Sequence, residues 1–510
     1  MSQAQTNDAV DLKKKMQAEL DFTSPQDIAT TRNAGTDRGG RLLLDQKSEA
    51  KKGGLSTLNC VAYASAHIYN DMCATVWFMY LLYFICYTVG WGPKLASLAL
   101  LSGQIADGIA TNLVGFLMDK TNTRIGKRTP WFLLGTFLVI PSFILTFNTC
   151  YACDLICGLT EDRVCNTRRH KTIAFIYYII LPALFNIGWA AVQISTMSII
   201  VSITYDQKQR DSLISYRNAC TFGSNLFTLS VALMLFEFVP NAIWQFRILA
   251  LLITLIGVVS GLFYLYGVPE VKLSNRAISQ GIQYSSWSVE SKGNSVEHWS
   301  EWLSITQFYA YGVVYTLTRM SINVTMTLTP FYLIHVLKYE KNEEEPTPPE
   351  IASVPLVSYF SSMVFTLLYS NTLNKYFNEY NRLTTLMYGA MLVIVSSIPF
   401  LFISPKIHWI VYLLVPFQGI GLAIGLNVAS SLISDMLGRN NKSSSFVYGT
   451  YSLLDKFSSG ILLVIIGATV IEKVQWLRLL AGILPIISSI LAWIFAWIGK
   501  DKDIIDFDGV

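Results

Sequence analysis

Residues 115–131 read Gly115-Phe-Leu-Met-Asp119-Lys120-Thr-Asn-Thr-Arg124-Ile-Gly126-Lys127-Arg128-Thr-Pro130-Trp131. A turn carrying four cations and one acid is set between two apolar runs, 93–118 and 130–149. Each run has the roughly 20 residues that an α-helix needs to cross a bilayer. Backbone groups in lipid must be satisfied within the segment, so runs of this kind are helices. Cations beside a membrane segment hold a loop in the cytosol. Residues 93–149 therefore predict a transmembrane helical hairpin with a basic cytosolic turn.

The pattern repeats outward from this hairpin. Ten further stretches of similar length are 58–87, 172–200, 213–237, 246–269, 303–337, 352–372, 382–404, 408–435, 444–471 and 476–499. The chain of 510 residues is 52% hydrophobic and only 14% charged, against roughly 25% charged in an average soluble protein. The expected class is an all-α integral membrane protein of 12 helices. Segments such as Leu81–Phe84 do not alternate, which argues against a β-barrel. A net charge of +4 predicts no nucleic-acid partner.

Residues 1–55 are polar, with Lys13-Lys14-Lys15, and lack the apolar core of a cleaved signal peptide, so they read as a flexible cytosolic tail. The longest interior polar stretch, 270–301, divides the spans six and six. The expected domains are 56–269, a cytosolic linker 270–301, 302–499 and a cytosolic tail 500–510. With both termini cytosolic, 24 Lys and Arg fall on the cytosolic side and 11 on the other. Cys150, Cys153, Cys157 and Cys165 share a non-cytosolic loop and read as two disulfides. Cys150-x-x-Cys153 also has the spacing of a zinc ligand pair. Trp77, Tyr80, Tyr83 and Tyr87 read as lipid-facing or interfacial aromatics. Gly419, Gly421, Gly425, Gly460 and Pro485 read as points of close packing or bending.

Charges inside spans mark function by default, because lipid penalises them. The acids are Asp71, Asp107 and Asp455, and the cations are Arg217, Arg319 and Lys456. Three of each can cancel in a central cavity and mark a solute or ion pathway. Structural ion pairs are the alternative for any one of them. His67 and Asp71 stand four residues apart, as do Arg319 and Asn323 and also Asp107 and Thr111, so each pair shares a helix face. Asn70, Trp189 and Gln193 are further polar or stacking candidates. His67 suits either a proton relay or a hydrogen-bonded core position. No metal cluster, nucleophile elbow, phosphate loop or cofactor motif appears, so an enzyme is not expected.

The loop with Gly115, Asp119, Arg124, Gly126, Lys127 and Arg128 resembles the Gly-x-x-x-Asp…Gly-Arg/Lys-Arg gate of the major facilitator superfamily. There Gly115 would let helices approach closely, and Asp119 would pair with the basic loop or cap a helix. Asn374-Lys375…Arg382 is the weaker counterpart. With Asp107 upstream and Pro130-Trp131 downstream, the loop resembles that of melibiose-type sugar–cation symporters. Five further stretches are similar to the major facilitator superfamily domain-containing protein 12 group: His67-Ile-Tyr-Asn70-Asp71, Gly103-Gln104-Ile-Ala-Asp107-Gly108, Gly188-Trp189-Ala-Ala-Val-Gln193, Thr318-Arg319-Met-Ser-Ile-Asn323 and Leu454-Asp455-Lys456. This resemblance implies two six-helix halves, alternating access and import of cysteine into lysosomes or melanosomes, with the plasma membrane as the alternative location.

Carried over residue by residue, Asp71 sits at a sugar-binding acid, Lys456 at a functional lysine and Asp107 at the first of two cation-binding aspartates. Thr111 replaces the second aspartate, and Gln193 stands near a second sugar-binding acid. These departures point away from sodium and sugar, and toward a zwitterionic amino acid with H⁺ as the possible coupling ion. Arg319, Arg217 or Lys456 would take its carboxylate, and Asp71 or Asp455 its ammonium. The remaining readings are a melibiose-type symporter and a non-transporting sensor or scaffold. A monomer is expected. Leu42-Leu43-Leu44 after Asp37 is a weak sorting signal, and the sequons at Asn323 and Asn441 face a span and the cytosol.

Overall fold

The computed structural model describes residues 55–157, 168–204, 207–285, 299–339, 347–368, 382–437, 444–471 and 473–500. Among the described residues, twelve long helical segments follow one another. In the first half they are α1 (Thr57–Thr88), α2 (Pro93–Lys120), α3 (Thr129–Thr146), α4 (Arg168–Ile203), α5 (Gln207–Phe238) and α6 (Ala242–Gly267). In the second they are α7 (Thr306–Phe331), α8 (Glu350–Leu368), α9 (Arg382–Ser397), α10 (Val411–Leu437), α11 (Ser444–Thr469) and α12 (Val474–Lys500). Ten of these segments are long and apolar enough to cross a membrane. The two below that standard are α7, which carries Arg319 and Asn323, and α8, described over 19 residues. Among the described residues there is no named strand, and Thr123 and Gly126 form an isolated bridge.

Each half packs within itself: α2 and α3 on α4, and α1 on α5 and α6, then α7 on α10, α11 and α12, and α9 on α10. The halves meet where α2 lies along α11, α5 along α8 and α1 along α7. Two devices occur at equivalent places in both halves. Gly135 of α3 faces Gly188 of α4, and a Cβ on either would strike the other's carbonyl. Gly389 of α9 and Gly421 of α10 stand in the same relation. Without a hydrophobic force between helices in lipid, small residues at contacts gain dispersion by bringing backbones together. The second device is a π-helical last turn, Phe84–Thr88 on α1 and Tyr332–Val336 on α7.

Helix α1 departs from the expected continuous span by breaking at Ala66–His67. Just before the break, the Ser65 hydroxyl bonds the carbonyls of Ala62 and of Ser260 in α6. A side chain inserted this way competes with the helical ladder. The aromatics on α1 also depart from expectation. Trp77, Tyr80 and Tyr83 are buried in protein and not lipid-facing. The cause is position: α1 is central, touching α2, α4, α5, α6 and α7, so few of its faces meet lipid. Trp77 stacks on Phe185 at 5.0 Å. Toward the last turn of α1, Tyr83, Phe84, Phe147, Phe246 and Phe331 form one aromatic cluster.

Gly188→Val should lower the melting temperature of the purified protein, because a small-to-large change at a closed backbone contact costs about 1–3 kcal/mol. Gly115→Ala should leave it unchanged, since a Cβ there meets nothing within 4 Å. Equal melting points for the two variants would contradict the packing argument.

Candidate functional site

Small residues let α2 and α11 run side by side. Gly449 faces Asn112, Gly460 faces Leu101 and Gln104, and Gly467 faces Ser97. At the middle of this contact Lys456 Nζ stands 2.6 Å from Asp107 Oδ2, with both side chains almost fully buried. Asp107 Oδ1 accepts the Thr111 hydroxyl at 3.1 Å. The ammonium also lies over the ring of Trp189, 4.6 Å from its centroid, and 5.8 Å from that of Phe78. A cation from the second half is thus inserted between an acid and aromatic faces of the first. Trp189 is fixed in turn by donating Nε1–H to the carbonyl of Asn70 at 3.2 Å.

One residue earlier on α11, Asp455 faces α7. Its Oδ2 meets Arg319 Nε at 3.3 Å, and its Oδ1 accepts from Asn323 Nδ2 at 3.3 Å and Ser459 Oγ at 3.2 Å. The shared face expected of Arg319 and Asn323 is therefore used on one carboxylate. On α1 and α5 the arrangement differs. Asp71 and Arg217 form no ion pair among the described residues. Asp71 Oδ2 accepts the Thr221 hydroxyl at 2.6 Å, and Arg217 Nε is buried without a hydrogen-bond partner. His67 Nε2 stands 3.3 Å from the Tyr63 hydroxyl. Asp71, Gln193, Arg217 and Arg319 all keep partial exposure within their spans. A charge held against lipid is costly, so this exposure belongs to polar space inside the bundle.

The basic loop folds around an acid that sequence reasoning did not single out. Glu270 opens a helix, Glu270–Ser285, at the start of the polar linker. Its buried carboxylate accepts from the backbone N–H of Lys127, Arg128 and Thr129 and from the Thr129 hydroxyl, at 2.8 to 3.1 Å. Arg128 Nη1 adds an ion pair at 3.6 Å. These N–H groups open α3, where a helix leaves donors unsatisfied and favours negative charge. Gly126, at φ 120°, permits the approach, because a Cβ there would strike the Glu270 carboxylate. The signal was present in Pro269-Glu270 directly after an apolar run, the start pattern of a helix. Arg124 and Lys127 point to solvent. Asp119 lies in the last turn of α2, and its side chain lies outside the described residues, as do the side chain of Cys157 and all of Cys165 and Lys375. Gly115 does not serve helix approach as expected; open space surrounds it. Cys150 and Cys153 are joined in one disulfide, which takes the sulfurs a zinc site would need.

Comparison with known proteins agrees with this geometry. The family profile described as MFS/sugar transport protein matches residues 62–500. The chain belongs to that family. It is similar to the Homo sapiens protein named major facilitator superfamily domain-containing protein 12, at 28% identity over 428 residues, covering 80% of this chain and 84% of that protein. A Synechocystis protein, the uncharacterized symporter sll1374, is 28% identical over 181 residues, which is 36% of this chain and 31% of its own. Among solved structures, the partially occluded inward-open xylose transporter XylE from E. coli superposes with a TM-score of 0.60 at 13% identity, covering 88% of this chain and 99% of that one.

As a member of the MFS/sugar transport family, the chain is a multi-pass membrane protein with the architecture of secondary transporters. The six charges expected at its centre fall into two closed pairs and one separated couple. Asp107→Asn should destabilise the fold by about 3–5 kcal/mol, since it leaves an ammonium buried without its partner. Asp107→Asn with Lys456→Met should recover most of the loss in a thermal melt. A double variant no better than the single one would argue that the pair has no mutual role.

Glu270→Ala should leave three N–H groups at the start of α3 unsatisfied, a cost of roughly 1–3 kcal/mol each where buried. The readout is trypsin cleavage at Lys127 and Arg128, expected to accelerate. An unchanged digestion pattern would show that the loop holds its form without Glu270.

Proposed function

We propose that this protein imports cysteine or a related neutral amino acid into the lysosome by alternating access, coupled to protons. The observation that carries this reading is the distribution of buried charge. Lys456 and Asp107 join the two halves near the middle of α11 and α2, and transporters of this architecture place their sites midway through the bundle. Around them every formal charge is balanced, which suits a solute without net charge. The resemblance to the domain-containing protein 12 group supplies cysteine and the lysosome. The Cys150–Cys153 disulfide supports an oxidising environment on that side of the membrane.

Coupling follows from the same pair. Lys456 and a proton compete for Asp107, so protonation of this acid frees Lys456 and loosens the contact between halves. Sodium is a poorer fit. Thr111 stands where a second carboxylate would be needed, and its hydroxyl donates to Asp107.

The test is uptake of labelled cysteine by the purified full chain in liposomes, under imposed pH and Na⁺ gradients. Saturable uptake that follows the pH gradient and ignores sodium is expected. Flux indifferent to the pH gradient would overturn proton coupling. Failure of unlabelled cysteine to compete would overturn the substrate. A non-transporting scaffold would show no flux of any of these solutes.

A further inference from the structure

The geometry points to Asp71 and Arg217 as the two poles of a zwitterion site: Arg217 takes the carboxylate of a free α-amino acid, and Asp71 takes its ammonium. This deepens the transport reading above and rests on it for the route by which the solute arrives. Sequence alone left five candidate groups for the two poles. The structure removes three of them. Lys456 is 2.6 Å from Asp107, and Arg319 and Asp455 are 3.3 Å apart. Each is neutralised by a partner, and recruiting it for a solute would break a buried pair.

The remaining couple is positioned but unspent. The Thr221 hydroxyl lies 2.6 Å from Asp71 Oδ2 and 3.2 Å from the carbonyl of Arg217. It thereby fastens the acid of α1 to the turn of α5 that bears the guanidinium. One turn further along α1, Thr75 donates to Asn225 of α5 at 2.7 Å. The two helices are thus stitched at two successive turns, at Asp71 and one turn beyond it. Among the described residues the Asp71 carboxylate accepts from Thr221 alone, while Arg217 Nε is buried and donates to nothing. A buried donor without an acceptor costs free energy that an incoming carboxylate removes, and a guanidinium binds that group through two parallel hydrogen bonds.

The charge of the couple selects the class of solute. An anion would satisfy Arg217 and face Asp71, and a cationic amine would do the reverse. A sugar offers hydroxyls but neutralises neither pole. An α-amino acid carries both charges on one carbon, and Thr221, which holds the Asp71 carboxylate, stands one helical turn, roughly 5.4 Å, from Arg217 along α5. Among the described residues the charged group acting on Asp71 is Arg217, and Tyr359, beside Asp71, also faces Arg319. Tyr63 and His67 lie near Arg217, Cys220 and Cys73 near Asp71, and Tyr359 of α8 reaches Asp71 from the opposite half. Recognition is therefore of the α-carbon substituents together, before any reading of the side chain.

The experiment is equilibrium binding to the purified full chain in detergent, with L-cysteine and L-alanine set against cysteamine, which lacks the carboxylate, and 3-mercaptopropionate, which lacks the ammonium. At least one zwitterion should bind, and both truncated analogues should bind at least tenfold more weakly than cysteine. Arg217→Gln and Asp71→Asn should each weaken zwitterion binding at least tenfold, with Arg217→Lys recovering part of the loss. Binding of either analogue as tight as that of cysteine would overturn the proposal. So would unchanged affinity in both variants, or no binding of either zwitterion. A variant that fails to fold leaves the analogue comparison on the native chain to decide. Binding without flux in liposomes would refute the transport reading and leave the pole assignment standing.

Discussion

The contact between Lys456 and Asp107 is the constraint around which the rest is arranged. Burying an ammonium and a carboxylate costs several kcal/mol per ion, and only close approach with further contacts offsets it. The structure supplies these: a 2.6 Å separation, a Thr111 hydroxyl on the second oxygen and the face of Trp189 over the cation. None is possible unless α2 and α11 lie close, which explains the small residues along their contact. Because Asp107 belongs to the first half and Lys456 to the second, the interaction is also a statement about conformation. Whatever separates the halves at this level must first find each charge another partner.

The two ends of the bundle are closed by different chemistry. At the end where α1 and α7 finish, equivalent π-helical turns bring Tyr87 and His335 together in a hydrogen bond, each the fourth residue of its turn. Aromatic rings fill the space beneath them. This is a contact between halves with little formal charge. At the other end the Glu270 carboxylate ties the linker helix to the loop between α2 and α3. That contact lies within the first half. It fixes the beginning of the linker against the loop of residues 126–129.

The fold was legible because it follows from the bilayer. Apolar runs near 20 residues and a basic turn at 120–128 are direct consequences of dehydration, and they placed the helices to within a few residues. The charges within spans were legible for the same reason, as the residues lipid tolerates least. Their pairing was not legible. Nothing local tells Lys456 from Arg319 as the partner of Asp107, since the choice depends on which helices touch. The aromatics of α1 were misread for a related cause. An apolar helix at the centre of a bundle and one at its rim have the same composition, and Trp77 and Tyr80 carry no mark of which they are on. Glu270 was missed because a carboxylate beginning a polar linker looks like any solvated acid until the donors of Lys127, Arg128 and Thr129 are seen to converge on it. Gly115 was overread, since the motif that contains it implies close packing that α2 does not make there.

Thr111 bears on coupling beyond the absence of a carboxylate. A sodium ion needs several oxygen ligands with lone pairs free to face it. In this site Asp107 Oδ1 is occupied as the acceptor of the Thr111 proton, and Oδ2 is occupied by Lys456. A metal ion would have to displace both and would then lie beside a buried ammonium. A proton needs only one oxygen, and the hydroxyl of Thr111 can turn from donor to acceptor to receive it. The replacement of an acid by threonine thus lowers the count of cation ligands while retaining a partner that serves Asp107 in either protonation state. Were Asp107 to take up a proton, Lys456 would keep the ring of Trp189, 4.6 Å away, where cation–π attraction reduces the cost of losing its acid.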